Sequence, residues 1–379
     1  MSQVYINQTS HFLPNNIVSN DEMEEYLGLI NNLKSKSKNI VLRSNKIKGR
    51  YYAIDKNGNS THTNATLVSQ AVRKLFVNEK ELATVDLLVC GTSTPDQMIP
   101  SHAIMVHGET PELGALEVIS PSGVCCSGMH ALKYAYMSVK IGSKKKAITT
   151  GSEKISKLLR SEQYEEEVRK MSELEENPYI AFEKDFLRWM LSDGAGAFLL
   201  ENKPNTDGIS LRIDWIEGVS FAHLQEPCMY MGCEKLEDGS LKSYMDMTSQ
   251  EIQLNSIFSV KQDVKQLAEN IVPLGFIKLN ELLEEKGLNV KDVDYFLPHL
   301  SSFFFEQKIK DFLEEKNMSI PKEKWFTNLS TVGNVGSGSI YLMLDELFNS
   351  GRLKKGEKIL ILVPESARFS YSFSLLTVC

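Results

Sequence analysis

"VDLLVCGTS", residues 85–93, is an unbroken apolar run closing in small polar residues, and "VDYFLPH", residues 293–299, repeats its opening. Runs this short, without polar alternation, read as strands covered on both faces. Cys126 lies 41 residues after Val85, and Asn334 lies 41 residues after Val293. After each come small residues, a helix-like stretch, a lysine-bearing connection ("GSKKKAI" at 142–148, "GRLKKGEKI" at 351–359) and a further apolar run. One unit, used twice, accounts for this order and spacing. The expected fold is α/β, duplicated, with halves at 1–205 and 206–379 whose functional loops face one another.

Further strands are expected at 145–151, 196–202 and 357–365, and helices at 64–78, 126–140, 262–287, 302–316 and 338–350. The stretch 154–190 is dense in charge ("SEQYEEEVRKMSELEEN") and reads as an exposed cap inserted between strands.

The chain has 379 residues, a net charge of -7 and 24% charged residues, an ordinary globular composition that argues against a nucleic-acid binder. Two local basic stretches, 34–50 and 142–146, read either as solvated faces or as patches for an acidic carrier. No run reaches the length of a membrane span, and the first residues lack a signal-peptide pattern. The six cysteines are irregularly spaced and read as reduced thiols, so a cytoplasmic location without metal or cofactor is expected. A zinc site at Cys228, Cys233 and His223 lacks a second ligand pair.

"PSGVCCSGMHAL", residues 121–132, puts two adjacent cysteines at the start of a helical stretch. A cysteine at a helix N-terminus is expected to have a lowered pKa and a raised thiolate fraction. Alone, such a thiol reads equally as packing. "PHLSS" carries His299 after a strand, and "GNVGSG" carries Asn334 in a turn that lacks the Gly-Lys-Ser/Thr of a phosphate loop.

Together these motifs resemble the thiolase-fold condensing enzymes of the β-ketoacyl-acyl carrier protein synthase III type. "VCGTSTPDQMIPSHA" (89–103), "CCSGMHAL" (125–132), "LSDGAGAFLL" (191–200), "VDYFLPH" (293–299) and "VGNVGSGSI" (332–340) match the family's motifs in order. The resemblance implies a five-layered α/β/α/β/α architecture, commonly homodimeric. It implies that Cys126 is the nucleophile and Cys125 a packing residue in the family's alanine position. By the same resemblance His299 and Asn334 donate hydrogen bonds to the second substrate, and the backbone amides of Cys126 and Ala367 hold the acyl oxyanion. Met98 and Ile99 stand near the family's acyl-pocket gate, Phe303 near the substrate, and Arg368 beside the site. The implied partners are acyl carrier protein and coenzyme A thioesters.

Departures from the pattern are equally legible. Leu300 and Ser302 replace a glutamine and an asparagine, Ala367 and Arg368 replace glycines, and no coenzyme A-stacking tryptophan precedes "RSNKIKGRYY". The "PESARFSY" ending (364–371) and the "RYYAID" segment (50–55) resemble ketosynthases that join two acyl chains into dialkylresorcinols. Two other functions are open at this point: acyl transfer to an alcohol or amine without condensation, and a non-catalytic partner subunit.

Overall fold

The computed structural model describes residues 2–32, 34–35, 38–164 and 187–379. Most of the charged stretch expected as a cap, 165–186, lies outside the described residues. Nine strands form the main sheet: β1 (Tyr5–Phe12), β2 (Leu87–Thr92), β3 (Glu117–Ile119), β4 (Lys146–Glu153), β5 (Gly194–Glu201), β6 (Leu211–Ser220), β7 (Tyr295–Pro298), β8 (Lys358–Glu365) and β9 (Ser370–Val378). Their order is β7-β8-β9-β6-β1-β5-β4-β2-β3. The principal helices are α1 (Asn64–Arg73), α2 (His102–Gly108), α3 (Ser127–Lys140), α4 (Val264–Glu285), α5 (Phe304–Glu315) and α6 (Ser339–Phe348).

The pairing repeats between halves. β2 lies parallel to β4, β4 antiparallel to β5, and β5 antiparallel to β1. In the same way β7 lies parallel to β8, β8 antiparallel to β9, and β9 antiparallel to β6. Even the edge strand β3 has a counterpart, a single parallel bridge from Phe296 to Trp325. In the main sheet the pairs Tyr5 with Arg212 and Ile6 with Leu211 join the halves, so one sheet consists of two units meeting at β1 and β6.

Period-two alternation sets the layers. In β2, Leu87 and Val89 face a central core while Leu88 and Cys90 face an outer one with α1. In β8, Ile359, Ile361 and Val363 face that same central core, and Leu360 and Leu362 face an outer core with α4 and α5. The central core is filled by α3 and α6, giving helix, sheet, helix, sheet, helix.

The close approach of the halves depends on glycine. A Cβ on Gly128 of α3 would lie 2.4 Å from the Ser337 carbonyl oxygen, and one on Gly151 of β4 would lie 2.3 Å from that oxygen. Backbone cannot yield as a flexible side chain does. Gly151→Ala is therefore expected to cost about 1–3 kcal/mol by overpacking, read as a lowered urea midpoint.

The repeat has one irregularity. Cys126 is the N-cap of α3, but the N-cap of α6 is Gly338. Asn334 stands four residues earlier, before an extra 3-10 turn at Gly336–Gly338, so equal spacing in sequence does not place it at the helix mouth.

The basic stretch at 34–50 is not uniformly solvated. Lys38 is buried against Glu24 at 2.8 Å, and Arg50 is fully buried. Around 142–146, Lys144 pairs with Glu117 at 2.7 Å and Lys146 with Glu201 at 3.3 Å. No helix among the described residues is long and apolar enough to cross a membrane.

Candidate active site

Four segments converge where the halves meet: the start of α3, the end of β8, the residues after β7 and the turn before α6. Consecutive carbonyls of β8 anchor two of them. The Leu362 carbonyl accepts the His299 amide at 2.8 Å, and the Val363 carbonyl accepts the Cys126 thiol at 3.3 Å. Cys126 is thus fixed between α3 and the sheet, with no exposed surface.

Its ionisation runs opposite to the sequence expectation. Burial pushes the Cys126 thiol well above its ordinary range, and the Glu365 carboxylate and the neighbouring Cys125 add to the rise. A helix N-terminus lowers a thiol pKa only when its amides are free to stabilise the thiolate. Here the Cys126 amide is spent: it donates to Glu365 Oε2 at 2.9 Å, as does the Val124 amide, also at 2.9 Å.

Glu365 has a twin. β4 and β8 are both eight residues long, both begin with Lys and both end with Glu, Glu153 in the first half and Glu365 in the second. Each carboxylate crosses to the turn before the other half's central helix. Glu153 Oε1 accepts the Ser337 amide at 3.2 Å and the Ser337 hydroxyl at 2.9 Å. Its Oε2 accepts the Ser93 and Thr94 hydroxyls at 2.7 and 2.6 Å. Burial still raises its carboxyl above the ordinary value. Neither glutamate was singled out in the sequence, although the matched strand lengths and termini were there to be read.

A cavity of about 340 Å³ opens beside this cluster. Cys125, Glu153, Asn334 and Gly336 line its polar end, and Met190, Leu191, Met229 and Met231 are among its apolar walls. That size is at the small end for a ligand site. Asn334 is held by its backbone to Met190 and Ser192, at 3.0 and 2.8 Å, and its Oδ1 accepts the Gly336 amide at 2.9 Å. The Nδ2 hydrogens are the donors left for a ligand.

His299 lines a second, smaller cavity of about 30 Å³ with Tyr371 and Pro364, and Ser301 lines both cavities. Burial lowers the His299 imidazole to about 4, so it is neutral near pH 7. Its Nε2 is buried without a hydrogen-bond partner. An unsatisfied buried group of this kind costs about 1–3 kcal/mol, a cost expected where a ligand supplies the partner.

The remaining sequence candidates lie elsewhere. Met98 and Ile99 are exposed at 65% and 86%, with Met98 Sδ accepting from the Tyr244 hydroxyl at 3.0 Å; neither lines the cavity. Arg368 is exposed and its Nε donates to the Gln225 carbonyl at 2.8 Å, so its charge points along the surface. Phe303 packs against the α4–α5 core, while Phe305 lines the His299 cavity together with Phe276 and Tyr371. The Ala367 carbonyl accepts the Cys228 and Met229 amides. The positive φ of that turn falls on Phe369 at 57°, two residues past Ala367. Of the cysteines for which a zinc site was not favoured, Cys233 lines the first cavity and Cys228 donates to the Asp263 carbonyl.

The segment at 283–364 matches the family model for the C-terminal region of 3-oxoacyl-[acyl-carrier-protein] synthase III. Over 357 residues the chain is 27% identical to β-ketoacyl-[acyl-carrier-protein] synthase III of Clostridium perfringens, covering 92% of each chain. Its fold superposes on AbyA1, a tetronic acid condensing enzyme, with a TM-score of 0.74 at 20% identity over 99% of both chains. It also superposes on Xanthomonas campestris OleA, in a structure with bound lauric acid and lauroyl-CoA, with a TM-score of 0.74 at 17% identity over 99% of both chains.

Proposed function

We infer the reaction from the class of the chain: it is a thiolase-fold condensing enzyme of the β-ketoacyl-acyl carrier protein synthase III type, and we propose that Cys126 carries the acyl group. Its sulfur attacks the thioester R–CO–SR′; the new C–S bond forms, and R′S⁻ leaves with the proton that Cys126 gives up. A second thioester then enters. If it is a malonyl unit, CO₂ departs and leaves an enolate; if it is a β-ketoacyl unit, the α-proton passes to water instead. His299 and the Asn334 amide hydrogen-bond the enolate oxygen. The enolate carbon attacks the acyl carbon, the C–C bond forms as the C–S bond to Cys126 breaks, and the Cys126 thiolate takes a proton from water. These steps use side chains, backbone amides and the thioesters, with no further cofactor.

One observation carries the reading: a largely apolar cavity ends at the junction of the halves against Cys125 of the nucleophile segment and Asn334, and Ser301 joins it to the smaller cavity that His299 lines. The methionine-lined wall suits a flexible acyl chain of variable shape. We assign the first substrate as an acyl thioester on coenzyme A or carrier protein. The two segments noted in the sequence favour a β-ketoacyl second substrate and a dialkylresorcinol-type product. A homodimer that covers exposed Met98 and Ile99 belongs to the same proposal.

The test is product analysis with an acyl-CoA and either malonyl- or β-ketoacyl-thioester. A new ketone product is expected, and ester or amide formation alone would replace condensation with simple acyl transfer. His299→Ala and Asn334→Ala are each expected to retain the acyl adduct while condensation slows by roughly 10²–10³-fold, the effect of losing one oxyanion donor.

A further inference from the structure

We propose that the Val124 amide, in place of the Ala367 amide that the resemblance implies, joins the Cys126 amide in the pocket for the thioester oxygen, and that Glu365 is a latch filling that pocket in the resting enzyme, so that acylation requires its displacement. The proposal rests on Cys126 being the acylated residue.

Two backbone amides converging on one oxygen at 2.9 Å each is the geometry that stabilises a developing oxyanion. The occupant is an anionic oxygen supplied by the chain itself. Glu365 is 7% exposed, and both of its hydrogen bonds fall on Oε2. Its twin differs in a telling way. Glu153 is bound through both oxygens by hydroxyls and amides from two segments, 93–94 and 337, as a structural clamp would be. Glu365 has only the two amides that the reaction would need.

At the thiol, burial raises the pKa first, Glu365 from the end of β8 and Cys125 on its own segment add to the rise, and the Ser372 backbone on β9 acts to lower it. Tyr371 on β9 is raised by burial first and then by Cys126. Glu153 at the end of β4 acts on Cys125, and His299 after β7 is neutral. While Glu365 remains, the proton stays on sulfur and the oxyanion donors are taken. An arriving thioester that displaces the carboxylate releases both restraints at once, which ties thiol activation to substrate binding.

The readout is Cys126 alkylation by iodoacetamide against pH, followed by peptide mass, in the wild type and in Glu365→Gln. The wild-type midpoint is expected above the ordinary thiol value of about 8.5. Glu365→Gln is expected to move it down and to raise the rate at pH 7 by at least about tenfold, the effect of deleting one adjacent charge. A wild-type midpoint at or below the ordinary value overturns the latch without any variant. An unshifted midpoint in a Glu365→Gln protein with native circular dichroism overturns it as well. Glu153→Gln serves as the clamp control, and an equal shift there would also sink the proposal. Acyl-CoA loading is measured in parallel. A shifted midpoint with no loading in either protein keeps the latch and removes the condensing reaction; normal loading with no shift does the reverse.

Discussion

Cys126→Ala is expected to abolish the covalent acyl adduct and to lower turnover by roughly 10⁴-fold or more, the scale on which loss of a nucleophile is felt when the rest of the site remains. The fold should survive. The sulfur makes one hydrogen bond, to the Val363 carbonyl, and alanine keeps the backbone amide that Glu365 holds. The informative partner is Cys125→Ala. Cys125 lines the large cavity and Cys126 does not, so position alone would favour Cys125 as the acylated thiol. The motif favours Cys126, which caps α3 and precedes the Ser-Gly pair. Intact-protein mass after incubation with acyl thioesters decides between them. Adduct lost only in Cys126→Ala supports the assignment; adduct lost only in Cys125→Ala transfers the nucleophile's role one residue back; no adduct on the wild type removes the first step altogether.

How much of this the sequence carried depends on which force each residue answers to. Strands β2, β4, β5, β7 and β8 were legible because burial on both faces writes a continuous apolar run. Strands β1 and β9 were missed because their buried positions are partly polar, and β6 because Arg212, Asp214 and Glu217 interrupt its buried Leu211, Ile213 and Ile216. Ser10 reaches the Ala71 carbonyl at 2.6 Å, and Ser374 reaches the Trp215 carbonyl at 2.9 Å. A hydroxyl satisfied by nearby backbone is as good a core residue as an alkyl group, yet in sequence it reads as a loop. The site divides in the same way. Cys126, His299 and Asn334 sit in short local motifs. Glu365 acts on an amide 239 residues away, and no local pattern records that contact. The expected thiol pKa failed because the helix terminus was visible, whereas the burial that raises the thiol and the carboxylate that adds to the rise were not.

Asp193→Ala is expected to destabilise the protein by about 3–5 kcal/mol, read as a fall in the urea midpoint followed by circular dichroism. Asp193 belongs to the most specific motif of the chain, "LSDGAGAFLL", but its work is structural. Its carboxylate is fully buried and accepts the Ala53 and Ile155 amides at 2.6 Å each, the Ser156 amide at 2.9 Å and the Ser156 hydroxyl. Burial raises its carboxyl above the ordinary value while these four donors act to lower it. Removing it strands three buried amides from two segments, 53 and 155–156. Asp193→Asn should recover less than half of the loss, because its NH₂ would be set against N–H donors. The consequence reaches the chemistry through the backbone. Ser192, next in chain, donates to the Asn334 carbonyl, and the Asn334 amide donates to the Met190 carbonyl. Loosening residues 190–193 therefore displaces the proposed enolate-binding amide while leaving α3 and Cys126 in place. Below its unfolding transition, Asp193→Asn should still take up the acyl group and yet condense it slowly. Loss of loading and condensation in equal measure would mean instead that the motif supports the whole site rather than the Asn334 side of it.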